Sequence, residues 1–94
     1  MSDTQVTNNP ERSRFEIHTA DGRLAGFAEY RAGDGVRDFV HTVVKDEFEG
    51  QGIGGKLARG ALDATRDDGL RVIATCPFIK GWIGKHPDYQ DLVA

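Results

Sequence analysis

A chain of 94 residues with a formal net charge of −3 is one domain at most. Its single cysteine excludes an intramolecular disulfide and a cysteine-rich zinc site, and its acidic balance argues against broad binding to a phosphate backbone. No apolar run approaches the ~18 residues of a membrane span, and the polar stretch Met1–Arg14 has no apolar centre of a secretory leader, so the expectation is a small, soluble, cytoplasmic α/β (α+β) domain without nucleic-acid or membrane partners.

Residues 1–12, MSDTQVTNNPER, carry almost no apolar side chains, and Asn8-Asn9-Pro10 is turn chemistry. They read as a disordered N-terminal tail, with the folded domain over residues 13–94. Arg14–Thr19 alternates: Phe15, Ile17 and Thr19 on one face, Arg14, Glu16 and His18 on the other, which predicts a half-buried strand. Asp21-Gly22 marks a hairpin turn. Leu24–Arg31 is a second strand whose core face stays undecided, because Phe27 and Tyr30 fall on opposite sides. Val36–Val44, after the turn Gly33-Asp34-Gly35, is a third strand rich in β-branched residues. One of its faces carries Val36, Asp38, Val40, Thr42 and Val44, the other Arg37, Phe39, His41 and Val43. Both turn apolar toward the C-terminal end, which predicts cover on both sides there.

Beyond the charged run Lys45–Glu49 the period changes. Ile53, Leu57, Ala58, Ala61, Leu62 and Thr65 recur at helical spacing up to Asp68, with Gly69 just past the end. Gly60 costs that helix about 1 kcal/mol against Ala, and a close helix–sheet approach would account for it. Leu70–Cys76 reads as a short buried strand. Pro77 opens a second helix, with Phe78, Ile79, Trp82, Ile83 and His86 as its apolar stripe and Pro87 as its stop. The predicted order is β-β-β-α-β-α, a three-stranded meander followed by a right-handed crossover.

The glycine-rich turn spells two familiar motifs and satisfies neither. Gly50-x-Gly52-x-x-Gly55 matches a dinucleotide fingerprint, but no acidic residue stands at Ile73–Cys76, where the next strand ends. Gly50-x-x-x-x-Gly55-Lys56 matches most of a Walker A loop, but Leu57 occupies the place of the magnesium-binding hydroxyl. NAD binding and nucleotide hydrolysis are thereby excluded. What remains is a strand that runs into a glycine turn opening a helix, where N–H groups and the helix dipole favour an anion such as a pyrophosphate.

The segment Val43–Leu57, centred on Glu49-Gly50-Gln51-Gly52-Ile53-Gly54, resembles the acetyl-CoA loop of the GNAT N-acetyltransferase superfamily, whose pattern is Arg/Gln-x-x-Gly-x-Gly/Ala. Glu49 departs from it at the first position, and Lys56 and Arg59, one turn into the helix, would offset the charge. Thr75-Cys76-Pro77-Phe78, Trp82-Ile83 and His86–Val93 narrow the resemblance to the small Yjdj-type N-acetyltransferase-like proteins, over residues 14–93. The resemblance implies a minimal GNAT-like fold: a mainly antiparallel sheet with a strand–glycine loop–helix site, lacking the two N-terminal helices that shape the acceptor site of longer members. It also implies acetyl-CoA (CoA) as cofactor. The backbone of Thr42, Val43 and Val44 would hold the pantetheine arm. Gln51, Gly52, Ile53, Gly54 and Gly55 would hold the pyrophosphate with Lys56 beside them, and Cys76 and the second helix would flank the thioester.

Acetyl transfer to an amine needs a base for the amine, a polarised carbonyl and a proton for the leaving thiolate. His41 is the first catalytic candidate, as that base; the alternative is an imidazole packed between Phe39 and Val43. Cys76 is the second, as an acyl-accepting nucleophile or a donor to the thiolate; the alternative is a buried structural thiol. A Cys76–His41 pair stays open if the two strand ends are neighbours. His86 reads as a helix cap, Tyr89 as a packing residue, Trp82 as core and His18 as solvated. The expected activity is acetyl-CoA-dependent N-acetyl transfer to a small-molecule or peptide amine; the alternative is a non-catalytic module binding CoA or a protein partner.

Overall fold

The computed structural model describes residues 4–94. Strands β1 (Gln5–Asn9), β2 (Arg14–His18), β3 (Leu24–Ala32), β4 (Val36–Val44) and β5 (Arg71–Ala74) form one sheet in chain order. The first three pairings are antiparallel, whereas β4 and β5 run parallel and are joined through helix α1 (Ile53–Asp67). Helix α2 (Pro77–Gly84) follows β5, and a 3-10 turn, Pro87–Leu92, packs against it. Among the described residues no helix is long and apolar enough to cross a membrane.

The segment expected to be a tail corrects the predicted order, because most of it is β1. Val6 pairs with Ile17 and rests on Gly60 of α1, where a Cβ would come within 2.7 Å of the Val6 Cβ. The Tyr30 hydroxyl donates to Asn8 Oδ1 at 2.7 Å, and Asn9 Nδ2 donates to Glu16 Oε2 at 3.1 Å. A polar composition is compatible with this strand because it lies at the sheet edge. Gln5, Thr7 and Asn8 stay exposed, and backbone pairing with β2 does not depend on side-chain type. Residues 1–3 of the expected tail lie outside the described residues.

Phe15 and Ile17 of β2 are buried, as their alternation predicts. The next pair of strands slips register: Glu29 faces His41, but Tyr30 faces Phe39, and Val40 is left between them. This bulge exchanges the faces of β4. Before it, Arg37 and Phe39 point inward; after it, Thr42 and Val44 share the inner face with Ala28 and Gly26, and His41 and Val43 turn outward. Phe15, Tyr30 and Phe39 form an aromatic cluster with centroids 5.6–6.1 Å apart. The core includes every periodic position predicted for α1, from Ile53 to Thr65.

Two expectations about cover fail. The end of β4 is not enclosed: His41 is exposed and Thr42, Val43 and Val44 are half-buried, because pairing with β5 stops at Phe39. β5 is not a buried strand either. It forms the other edge of the sheet, with Val72 buried and Ile73 40% exposed on the face it shares with Asp38.

Candidate functional site

Strands β4 and β5 part at Phe39. Their ladder pairs Val36–Phe39 with Arg71–Ala74, and the Cys76 N–H donates to the Phe39 carbonyl at 2.8 Å just beyond it. From there to Val44, β4 keeps β3 on one side and, among the described residues, has no strand on the other. A strand edge of this kind offers a row of N–H and C=O groups to an extended partner. The open edge leads through Lys45 and the 3-10 turn Asp46–Phe48 to the start of α1. Phe48 anchors that turn in the core, and Glu47 is drawn to Arg23 of the first hairpin at 3.1 Å.

Left-handed backbone shapes the rest of the loop. Gly50 and Gly52 have φ of +82° and +73°, a region costly for any residue with a Cβ. Gly52 caps α1 without placing a side chain over its first turn. The opening N–H groups of α1 have no carbonyl one turn earlier to bond, and they lie at the positive end of the helix dipole. Gln51 and Gly52 are exposed, and Ile53 sends its side chain into the core while its backbone starts the helix. Gly54 lies under the ring of Phe78, Gly55 faces the indole of Trp82, and Lys56 is exposed. Gly52, Gly55, Lys56 and Arg59 line a cleft of about 270 Å³ with Trp82 and His86. Glu49, the residue that departs from the motif, is exposed and outside that lining.

Cys76 caps α2 and is 4% exposed, with its Sγ 3.4 Å from Thr42 Oγ1 near the point where the strands separate. Thr42 reaches it because the bulge has turned this side chain inward. Its neighbour His41 is on the opposite face, exposed beside Glu29. The structure therefore joins Cys76 to Thr42. The Cys76–His41 pair left open by the sequence is not formed, and His41 is not packed between Phe39 and Val43.

Around the cleft, His86 Nδ1 donates to the Trp82 carbonyl at 2.7 Å, which is the expected capping role, and its ring stacks on the indole at 3.7 Å. Trp82 is half-buried rather than core, since it also borders a second cleft with Pro77, Phe78, Gly81 and Lys85. Phe78, expected in the apolar stripe of α2, is 43% exposed over Gly54. The Tyr89 hydroxyl donates to Asp63 Oδ1 at 2.7 Å and accepts from Arg59 at 3.2 Å. Burial, reinforced by the Asp63 carboxylate, holds this phenol above its ordinary value, so Tyr89 is a packing residue tied to α1. Sequence reasoning missed the Thr42 side chain and the Asp63–Tyr89–Arg59 chain. The first needs the bulge; the second joins residues 26 and 30 positions apart.

The family model described as GCN5-related N-acetyl-transferase matches residues 14–92. Curated relatives called Protein NATD1 are similar over 85 residues, 88% of this chain. The Bos taurus protein is 36% identical and the Homo sapiens protein 34%, each with 74% of its own length covered. The Gallus gallus protein is 31% identical with 76% covered. The NMR solution structure of a GCN5-like protein from Staphylococcus aureus is similar with a TM-score of 0.72 and 30% identity, covering 100% of this chain and 91% of that one.

Proposed function

The chain belongs to the GCN5-related N-acetyltransferase family, and from that premise we propose that it binds acetyl-CoA and transfers the acetyl group to the nitrogen of a small-molecule or peptide amine. The observation that carries this reading is the parting of β4 from β5 at Phe39, which leaves an open strand edge leading into the N-terminus of α1. A ligand with amide groups along one arm and a pyrophosphate at the other suits both features. The backbone of Thr42, Val43 and Val44 pairs with the amides, and the N–H groups from Gln51 to Gly55 receive the pyrophosphate, with Lys56 beside them. The residues present fit the group, since the cleft at the helix start is lined by cations and glycines and by no carboxylate.

When bound, acetyl-CoA supplies an activated acyl group whose C–S bond breaks as the new C–N bond forms. Cys76, beside Thr42 at the inner end of the open edge, is assigned the proton that the leaving sulfur takes up. His41, exposed on the outer face of β4, is assigned the proton lost by the amine, directly or through water. A covalent route through acetyl-Cys76 is the mechanistic alternative, and mass spectrometry after rapid quenching distinguishes the two. A second functional reading has its own support: His41 and Cys76 on opposite faces of β4 leave no assembled acid–base pair, which favours a CoA-binding module without turnover.

One experiment separates these readings. Titration of ¹⁵N-labelled protein with acetyl-CoA is expected to shift the amides of Thr42–Val44 and Gln51–Lys56. Transfer of labelled acetyl to a panel of amines is expected to fall roughly tenfold or more in Cys76→Ser and in His41→Ala. Shifts without transfer support the binding module, and no shifts overturn both readings. Full activity in both variants removes the two side chains from the mechanism.

A further inference from the structure

Gly52, Gly55, Lys56 and Arg59 follow the spacing i, i+3, i+4 and i+7, so they share one side of α1, and Trp82 and His86 complete the cleft with them. The glycines of this helix have different causes. A Cβ at Gly60 would meet the Val6 Cβ at 2.7 Å, so packing demands glycine there, whereas one at Gly54 would meet only the tip of the exposed Phe78 ring at 2.8 Å, which can swing aside. A Cβ at Gly55 would meet only Trp82 Nε1, at 3.6 Å, an ordinary contact. Packing therefore does not explain Gly55, although glycine is disfavoured in a helix, and its backbone stays open to close approach from the cleft.

Two of the polar groups around this gap are donors without an acceptor. Among the described residues the Lys56 side chain makes no ion pair or hydrogen bond, and the Trp82 Nε1–H has no hydrogen-bond acceptor. Arg59 donates to a neutral phenol, Tyr89 Oη, and lies 5.4 Å from the Trp82 ring centroid. The nearest carboxylate in this network, Asp63, is engaged by the Tyr89 hydroxyl and does not line the cleft. Helical rise places Lys56 about 4.5 Å and Arg59 about 9 Å beyond Ile53, past the opening turn that suits a pyrophosphate. Their positions suit a second anion farther along the same ligand.

We propose that this cleft recognises the 3′-phosphomonoester on the ribose of CoA, with Lys56 and Arg59 as its counter-ions and the Trp82 indole N–H as a further donor. The inference rests on the acetyl-CoA reading and specifies which part of that ligand is selected: CoA over its 3′-dephospho form. Isothermal titration of the full chain with acetyl-CoA and with 3′-dephospho-acetyl-CoA tests it. The wild type is expected to bind the dephospho ligand about tenfold more weakly or worse, the scale of a charge-assisted contact. Arg59→Gln is expected to weaken acetyl-CoA while leaving the dephospho ligand within about twofold; Lys56→Gln, which also removes the charge beside the pyrophosphate, is expected to weaken both ligands but acetyl-CoA several-fold more, and Trp82→Phe is expected to act in the same direction as Arg59→Gln. Circular dichroism and melting curves show whether each variant is folded. Equal affinity of the wild type for both ligands overturns the proposal, and so does an equal loss of both ligands in the folded Arg59 variant. If neither ligand binds the wild type, the acetyl-CoA reading fails and the inference falls with it.

Discussion

Arg37 shows how much one side chain depends on its surroundings here. It is only 8% exposed, with its guanidinium 5.1 Å from the Phe15 ring centroid and 4.8 Å from that of Tyr30. It donates to Thr65 Oγ1 at 3.0 Å and pairs with Asp68 at 3.2 Å, beside the C-terminal end of α1 where a cation is favoured. Asp68 is 51% exposed, so most of the contribution belongs to the arginine's packing and its bond to buried Thr65. Arg37→Ala is expected to lower the unfolding free energy by about 2–3 kcal/mol, and Asp68→Asn by less than about 1 kcal/mol, in urea denaturation. Comparable losses would show the ion pair, not the burial, to be dominant. Residue identity was a good guide to burial along α1 but did not show which side chain of β4 meets Cys76. Imidazole chemistry singled out His41, while the bulge at Val40 gave the neighbouring threonine the contact with Cys76.

Legibility differed sharply between elements. Helix α1 was readable because one apolar face repeating over four turns has no rival interpretation. Its limits shifted by a single residue, from Asp68 to Asp67. β1 was not readable, because an edge strand with a single apolar side chain, Val6, carries hardly any periodic signal. The trace it did leave is on another element: Gly60, whose cost pointed to a close helix–sheet approach, sits against Val6. Gly60→Ala gains about 1 kcal/mol of helix propensity, but the new methyl meets the Val6 Cβ, an atom held by the backbone that cannot swing aside. Net destabilisation of about 1–2 kcal/mol is expected. The pair Val6→Ala with Gly60→Ala should recover about 1 kcal/mol relative to the sum of the single variants in a double-mutant cycle read by denaturant melts. Strict additivity would mean that β1 is not docked on α1.

At the scale of the whole molecule, the notable feature is a sheet that stops pairing part-way along β4. The open edge, the glycine turn and the start of α1 follow one another in the chain, so the candidate site is a continuous path from Val40 to Arg59, closed at one end by Cys76 and at the other by Trp82 and His86. A ligand lying along that path binds only the folded state. Acetyl-CoA at about 100 times its dissociation constant is therefore expected to raise the unfolding free energy by about 2.7 kcal/mol, visible as a higher melting temperature. Hydrogen exchange should slow at the unpaired amides of Val40–Val44. A rise in melting temperature without that protection would place the ligand elsewhere.

Amino-acid order alone dictated the apolar face of α1, the turns, the Pro77 start of α2 and the glycine turn that opens α1. Each of these depends on neighbours within one or two turns of chain, where periodicity and backbone freedom act directly. Tertiary structure alone decided that a polar segment joins the sheet, that β4 leaves β5 at Phe39, and that Thr42 rather than His41 meets Cys76. Those outcomes depend on register between strands far apart in sequence. There a slip of one residue inverts every side chain beyond it, and no local pattern records where the slip occurs.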